Sequence, residues 1–129
     1  MSFSDYLENK ILAYTFSGTA FTPATTKKLA LYTVAPNDNG SGGTEVSTSG
    51  TGYVRQTVAF STTASQSSNS GAVEFPTATA SYGTVVAVGV LDAVVNGNLY
   101  AVGTLSVSKA ISTGDVFRIP VGDLDIDLT

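Results

Sequence analysis

The chain has 129 residues, 43% of them hydrophobic, and a formal net charge of −4, so its size is that of one domain. Its six basic residues form no run, which argues against a nucleic-acid surface, and no apolar run approaches the roughly 20 residues of a membrane span. Cysteine and histidine are absent. This removes disulfides, thiolate metal sites and the commonest catalytic bases and nucleophiles, so we expect neither an enzyme nor a cofactor.

Residues 2–17 show the one convincing helix pattern. The helix stripe consists of apolar residues three or four positions apart, namely Phe3, Leu7, Ile11 and Tyr14. Ser2 or Ser4 is suited to cap the first turn, and Gly18 to end the helix. The pattern fits a helix that covers its own core and equally an arm that docks on a partner subunit.

Alternating and β-branched residues predict strands at residues 29–34, 53–60 and 72–76. Residues 61–71 are rich in serine and lie between two of these strands, so we expect an exposed loop there.

A longer polar segment, residues 35–52, holds turn formers and almost nothing apolar. Such a segment is either surface slack or a contact loop, because loops on a rigid scaffold often carry binding. Under the second interpretation the contact residues are polar or acidic side chains between positions 37 and 45, namely Asn37, Asp38, Asn39 and Glu45.

Two long apolar segments joined across the dipeptide Asn-Gly occupy residues 82–108. Because a type I′ turn needs positive φ at both central residues, Asn96 and Gly97 predict a tight hairpin. The strand pairs would then be Val86 with Val107, Val88 with Leu105, and Val94 with Leu99.

Asp92 argues against this tight hairpin, because it would lie on the apolar face. A wider loop over residues 92–98 remains open as an alternative. It pairs Leu91 with Leu99 and changes the register of both strands.

The C-terminal part alternates at residues 115–119 and again at 124–128. Three acidic residues in and directly before the second segment share one face, namely Asp123, Asp125 and Asp127. They are typical of the solvated side of an edge strand. A Ca²⁺ site is the alternative, but the order of residues matches no EF-hand loop.

These elements predict a mainly β protein of seven or eight short strands after one helix. The helix or arm occupies residues 1–18, and residues 19–129 form a single antiparallel β-sandwich with Greek-key or jelly-roll connections. All of residues 1–129 are then one domain.

Five segments resemble a family of small virion proteins of tailed bacteriophages. They are SFSDYLENKILAYTFSGTAFTP, LALYTVAPNDNGSG with GTGYVRQTVAF, EFPTATASYGTVVAVGVLDAVVNGNLYAVGTL, and SVSKAISTGDVFRIPVGDLDIDL. The resemblance covers nearly the whole chain. Members are commonly labelled tail-fibre proteins, and the small β-rich size also resembles capsid decoration, or cement, proteins.

The resemblance implies a structural subunit of the virion, made in the host cytoplasm. Our first hypothesis is a cement subunit that stabilises the head by multivalent contacts with the major capsid protein, as a homo-oligomer and by preference a trimer. The alternative is a tail-associated fibre or adhesin subunit that binds the host surface. For the cement subunit we expect the interface to use the helix stripe and the loop from Asn37 to Glu45, whereas an adhesin would bind through exposed loops.

Overall fold

The computed structural model describes residues 1–127, which form a mainly β protein with a single helix near the N-terminus. In chain order the elements are β1 (Ser2–Phe3), α1 (Asp5–Ser17), β2 (Lys27–Val34), β3 (Thr44–Glu45), β4 (Gln56–Val58), β5 (Phe60–Thr63), β6 (Gln66–Asn69), β7 (Val73–Glu74), β8 (Gly83–Leu91), β9 (Leu99–Ile111), β10 (Arg118–Ile119) and β11 (Asp125–Asp127). Neighbouring strands pair antiparallel throughout residues 1–127. The predicted fold class is therefore confirmed.

The largest sheet has the strand order β1-β9-β8-β2-β3, with β4 also paired to β2. Two smaller sheets, β10-β7 and β11-β6-β5, lie outside it. Buried side chains of the large sheet, such as Leu31 and Val90, belong to one core cluster with Val73, Ile119 and Leu124 of the smaller sheets and their flanks. The arrangement is thus sandwich-like, with one layer divided into two short sheets.

The central strands are buried on both faces. Leu29 and Leu31 of β2 belong to the main core, while Ala30 and Tyr32 belong to a second cluster on the other side. Gly89 of β8 is required there, because a Cβ at this position would lie only 2.9 Å from the Tyr32 ring. Close packing on two faces therefore makes β2 and β8 the rigid centre of the protein.

The predicted tight hairpin is wrong, and the wider loop is confirmed. Leu91 lies opposite Leu99, and residues 92–98 connect the strands. Both Asn96 and Gly97 have positive φ, as the dipeptide predicts, but they lie within the loop. Asp92 holds the loop instead of facing the core, since its carboxylate accepts bonds from the backbone and side-chain amides of Asn98 at 2.6 and 2.9 Å.

The predicted register of this hairpin is also wrong further from the loop, and β9 contains a bulge as well. Val88 lies opposite Gly103 and not Leu105. Between the pairs Val85–Lys109 and Ala87–Thr104, β9 has four residues, 105–108, and β8 has only Val86. Val86 and Val107 consequently form no cross-strand pair, and Val94 lies in the loop and pairs with nothing in β9.

Residues 61–71 are not the polar loop that their composition predicts. Most of them belong to the hairpin β5-β6, which turns at Ala64 with a positive φ of 55°. Hydroxyl pairing across the hairpin, between Thr62 and Ser67, replaces apolar pairing. This hairpin is one reason why residues 1–127 contain ten strands after α1, more than the seven or eight predicted.

Three predicted strands are shorter than expected. Residues 53–60 become strand only at Gln56, and residues 72–76 and 115–119 contribute two strand residues each. In the segment 124–128, β11 covers Asp125–Asp127, and Leu128 lies outside the described residues. The loop expected at residues 35–52 is largely confirmed, although it contains β3 and the buried Val46.

The helix begins two residues after its first predicted apolar position. Phe3 lies in β1, so it does not continue the stripe of Leu7, Ile11 and Tyr14. Ser4 is the N-cap, and its hydroxyl accepts a bond from the Leu7 amide at 3.2 Å. Gly18 ends the helix with a left-handed φ of 70°.

Ser4 also joins α1 to the sheet. It is 1% exposed, its amide donates to the Tyr100 carbonyl at 2.8 Å, and its hydroxyl donates to the Leu99 carbonyl. We expect Ser4→Ala to lower the free energy of unfolding by about 2 kcal/mol, since it removes a cap and leaves a carbonyl without its partner. Urea unfolding measures this loss. Ser2→Ala, at the other candidate cap, is the control and should change stability by less than about 0.5 kcal/mol.

Candidate assembly surface

The helix α1 exposes large apolar side chains in its C-terminal half. None of its residues is buried. The exposed apolar residues, with the exposed fraction of each, are Ile11 (36%), Leu12 (57%), Tyr14 (59%) and Phe16 (81%). Leaving such groups in water costs free energy, so a concentration of them on one element marks a surface that another subunit can cover.

The N-terminal half of α1, by contrast, is attached to the large sheet. The Tyr6 ring stacks on Tyr100 at 6.1 Å and meets Phe21 edge-on at 6.5 Å. Leu7 is half-buried against the main core, and the Lys10 ammonium lies 5.5 Å from the centre of the Tyr6 ring. The first two turns are therefore held firmly while the last two project.

The exposed apolar residues of α1 divide into two surfaces. Ile11 and Tyr14 line a shallow cavity of about 350 Å³ beside Phe21 and Pro23, which we call the side groove. On another side of the helix is the outer face, whose residues recur three or four positions apart, namely Asp5, Glu8, Leu12 and Phe16.

A larger cavity of about 870 Å³, the hairpin groove, opens between the start of α1 and the hairpin β5-β6. Its apolar lining comes from several elements and includes Phe3, Leu7, Val58, Ala59, Phe60 and Ile126. Hydroxyl and amide side chains such as Thr62 and Gln66 also line it, together with the ammonium-bearing Lys27. None of the described lining residues is acidic.

The predicted contact residues Asn37, Asp38 and Asn39 are exposed and lie in a compact turn. The Asn39 carboxamide oxygen accepts bonds from the hydroxyl and the amide of Ser41 at 2.6 and 3.0 Å. The Asp38 carbonyl accepts a bond from the Asp5 amide at 2.9 Å. The turn is thus fixed to the first residue of α1, so the loop and the helix form one continuous surface.

Glu45 has a different environment from the rest of that loop. Its carboxylate binds the Arg55 guanidinium through two bonds of 2.7 and 2.9 Å and accepts a third, of 2.6 Å, from the Tyr53 hydroxyl. The Arg55 side chain is 8% exposed and that of Glu45 27%. Arg55 also donates to the carbonyls of Ala93 and Asn96 at 2.8 Å, so this network attaches β3 to the loop 92–98.

Tyr53, within this network, accepts a hydrogen bond that no neighbouring strand accepts at the edge of the large sheet. Its hydroxyl accepts a bond of 3.0 Å from the Leu31 amide, in the gap of the β2 edge between β3 and β4. Burial, together with the bond donated to Glu45, raises the pKa of Tyr53 well above its ordinary value of 10.0. The same contact with Glu45 raises the pKa of Arg55.

The raised pKa of Tyr53 predicts a loss of stability at alkaline pH. Above pH 10 the unfolded state releases this proton and the folded state retains it, so the free energy of unfolding falls as pH rises. Each such tyrosine contributes up to about 1.4 kcal/mol per pH unit. We expect Tyr53→Phe to be less stable than the wild type at pH 8, and the difference to shrink above pH 10.

Urea unfolding from pH 8 to pH 11 measures this difference. The free energy of unfolding of the variant should still fall somewhat as pH rises above 10, because burial also raises the pKa values of Tyr32 and Tyr82. A difference between wild type and variant that stays constant up to pH 11 would contradict the assignment.

The C-terminal aspartates bond to the neighbouring strand. The carboxylate of Asp125 accepts a bond from the Ser68 hydroxyl at 2.5 Å, and that of Asp127 from the Gln66 amide at 2.9 Å. Within residues 1–127 no group of three or more acidic side chains is arranged to hold a metal ion. Over the same residues, no helix has the length and apolar character needed to cross a membrane.

The structure thus brings together most of the predicted contact residues. Leu7, Ile11 and Tyr14 line the side groove, Phe3 and Leu7 line the hairpin groove, and the Asn37 turn touches the start of α1. Glu45 lies apart from them. Leu12 and Phe16 were missed, although their spacing of four places a second apolar pair on the helix away from the predicted stripe.

Comparison with known proteins identifies the family of the chain. The family model described as "Podophage GP4 fiber I protein gp80" matches residues 2–127. No curated protein sequence was found to match the chain. The family match confirms the resemblance to virion proteins of tailed phages. The chain therefore belongs to the podophage GP4 fiber I protein gp80 family, and it is a structural protein of the bacteriophage virion.

Proposed function

We propose that the protein is a fibre subunit attached to the phage tail, and that it joins neighbouring subunits through the exposed half of α1. The observation that carries the location is the match of residues 2–127 to a family described by a podophage fiber protein. That description favours the fibre alternative over decoration of the head.

The helix supplies the means of assembly. Its first turns are anchored by Ser4 and Tyr6, while Leu12 and Phe16 remain more than half exposed. A rigidly anchored helix loses little conformational entropy on binding, so burial of these side chains is available for affinity. We propose a homo-oligomer, with a trimer as the preferred form, in contact with other virion subunits. The helix suits a fibre and a cement protein equally, so the choice of the tail over the major capsid protein rests on the family match.

A gold-labelled antibody against the purified protein, viewed on intact phage by electron microscopy, tests the location. We expect the label on the tail and its absence from tailless heads. Label spread over the head shell would overturn the fibre proposal and favour capsid decoration.

The proposal assigns a structural role and no catalytic step. A purely structural subunit is expected to leave susceptible host cells unlabelled when the fluorescent protein is added to them. Saturable binding to those cells, absent from resistant cells, would instead assign the adhesin role.

A further inference from the structure

We propose that the outer face of α1 in one copy inserts into the hairpin groove of a second copy. This deepens the proposed function, on which it rests only in treating the chain as an assembling subunit. The partner is a second copy of this chain, and the contact joins two different surfaces. Such a heterologous contact builds either a closed ring or an open filament.

The outer face has the pattern of a helix that binds in a groove. Asp5, Glu8, Leu12 and Phe16 follow one another at spacings of three, four and four, and all four are exposed. Leu12 and Phe16 form the apolar knob of this face, with 57% and 81% of their surfaces in water. Anchors at such spacing are how amphipathic helices occupy apolar grooves.

The hairpin groove provides a matching receptor on the same chain. Its volume of about 870 Å³ accommodates both side chains of the knob, and its lining includes Val58, Ala59 and Phe60. Main-chain bonds of the antiparallel pairs β5-β6 and β6-β11 hold one wall. A preformed groove of this kind binds without the cost of ordering its walls.

The charges of the two surfaces are complementary. The outer face carries the carboxylates of Asp5 and Glu8 beside its apolar knob. The charged residue that lines the groove is Lys27, and the Asp127 carboxylate beside the groove already accepts a bond from the side-chain amide of the lining residue Gln66. Insertion of the knob therefore brings the carboxylates of Asp5 and Glu8 towards the Lys27 ammonium at the rim of the groove. This attraction favours the outer face of α1 over an apolar surface without acidic residues.

A chain is unable to fill its own groove. Leu7 lines that groove, and Leu12 and Phe16 lie about 140° and 180° around the helix from Leu7, at 100° per residue. Phe16 is also about 13.5 Å further along the helix axis, at 1.5 Å per residue. Because Ser4 and Tyr6 fix the helix to the sheet, only a neighbouring copy can receive the knob.

The knob supplies the apolar centre of a small contact. A buried aromatic side chain contributes about 150–250 Å², so Phe16, at 81% exposure, supplies roughly a fifth of the about 800 Å² per partner of a standard interface. In a ring each copy uses both its outer face and its groove. Each subunit is then held by two contacts, which compensates for the modest size of either one.

Paired variants of the full-length chain test this contact by sedimentation velocity. We expect the wild type to self-associate, and the double variant Leu12→Ser, Phe16→Ser to associate about 30-fold or more weakly, as for the loss of a hot spot. Ala59→Trp fills the groove from an exposed position and should weaken association similarly. Val95→Ser, which removes an apolar side chain 68% exposed on the loop 92–98, is the matched control and should change association less than about 3-fold.

Mixing the two variants distinguishes this contact from others. The Ala59→Trp copy keeps an intact outer face and the double variant keeps an open groove, so an equimolar mixture should form a heterodimer that grows no further. A monomeric wild type, an unaffected Ala59→Trp variant or a mixture that stays monomeric would each overturn the proposal. These solution results are independent of the antibody label on phage, so failure of this contact and failure of the fibre location are separable.

Discussion

Phe75→Ala is expected to lower the free energy of unfolding by about 4 kcal/mol, the largest effect of any single change considered. Phe75 is 2% exposed and lies between two aromatic rings. It stacks on Tyr53 at 5.9 Å and meets Phe117 edge-on at the same distance. Truncation leaves a cavity between the large sheet and the β7-β10 sheet, where these rings join the layers.

Urea unfolding followed by circular dichroism measures the loss. Val116→Ala, one residue before Phe117 but 41% exposed, is the matched control and should cost less than about 1 kcal/mol. A loss below 1 kcal/mol for Phe75→Ala would mean that the two layers are not joined through this aromatic cluster.

Glu45→Ala is expected to cost about 3 kcal/mol, because it leaves a buried guanidinium without its partner. The Arg55 side chain is 8% exposed, and the Tyr53 hydroxyl also loses its acceptor. Glu45 was predicted from the sequence as a contact residue. Its bonds to Arg55 and Tyr53 instead predict a loss of stability.

Urea unfolding together with an assembly measurement separates the two roles of Glu45. Glu74→Ala is the control, since Glu74 is exposed on β7, and it should change stability by less than about 0.5 kcal/mol. If the Glu45→Ala protein has wild-type stability but fails to assemble, Glu45 is an interface residue. That result would contradict its assignment as a residue that stabilises the fold.

The fold class was predictable because it depends on the pattern of apolar and polar residues within short segments. The apolar alternation of residues 29–34 and the absence of long amphipathic segments after α1 both indicated a β protein, as β2 and the sheets confirm. The loop 92–98 was predictable in part, because a carboxylate at Asp92 is incompatible with an apolar face. Its bonds to Asn98 show where the carboxylate goes instead.

Register and polar strands were not predictable, because they depend on partners distant in sequence. The hairpin β5-β6 has few apolar residues, and β6 is paired on its other side with β11, some 60 residues later. The bulge at residues 105–108 has no local turn signal either. Both features follow from tertiary pairing, which overrides local composition.

The sequence predicted that a helix would form the assembly surface, but it did not predict which face of the helix would be exposed. The stripe through Leu7, Ile11 and Tyr14 correctly identified a helix, but Leu7 of this stripe packs against the main core. The sheet covers only part of the stripe, so Tyr14 of the stripe stays exposed together with Leu12 and Phe16, which the stripe does not include. Only the position of the sheet decides which residues are left exposed.

The incorporation of the double variant Leu12→Ser, Phe16→Ser into virions tests the central claim most directly. Phage are grown with only this variant supplied, and the protein is quantified in lysates and in purified particles. If the exposed half of α1 assembles the protein into the virion, the variant remains folded in the lysate and is absent from the particles. Particles that carry it at the wild-type amount would contradict the account.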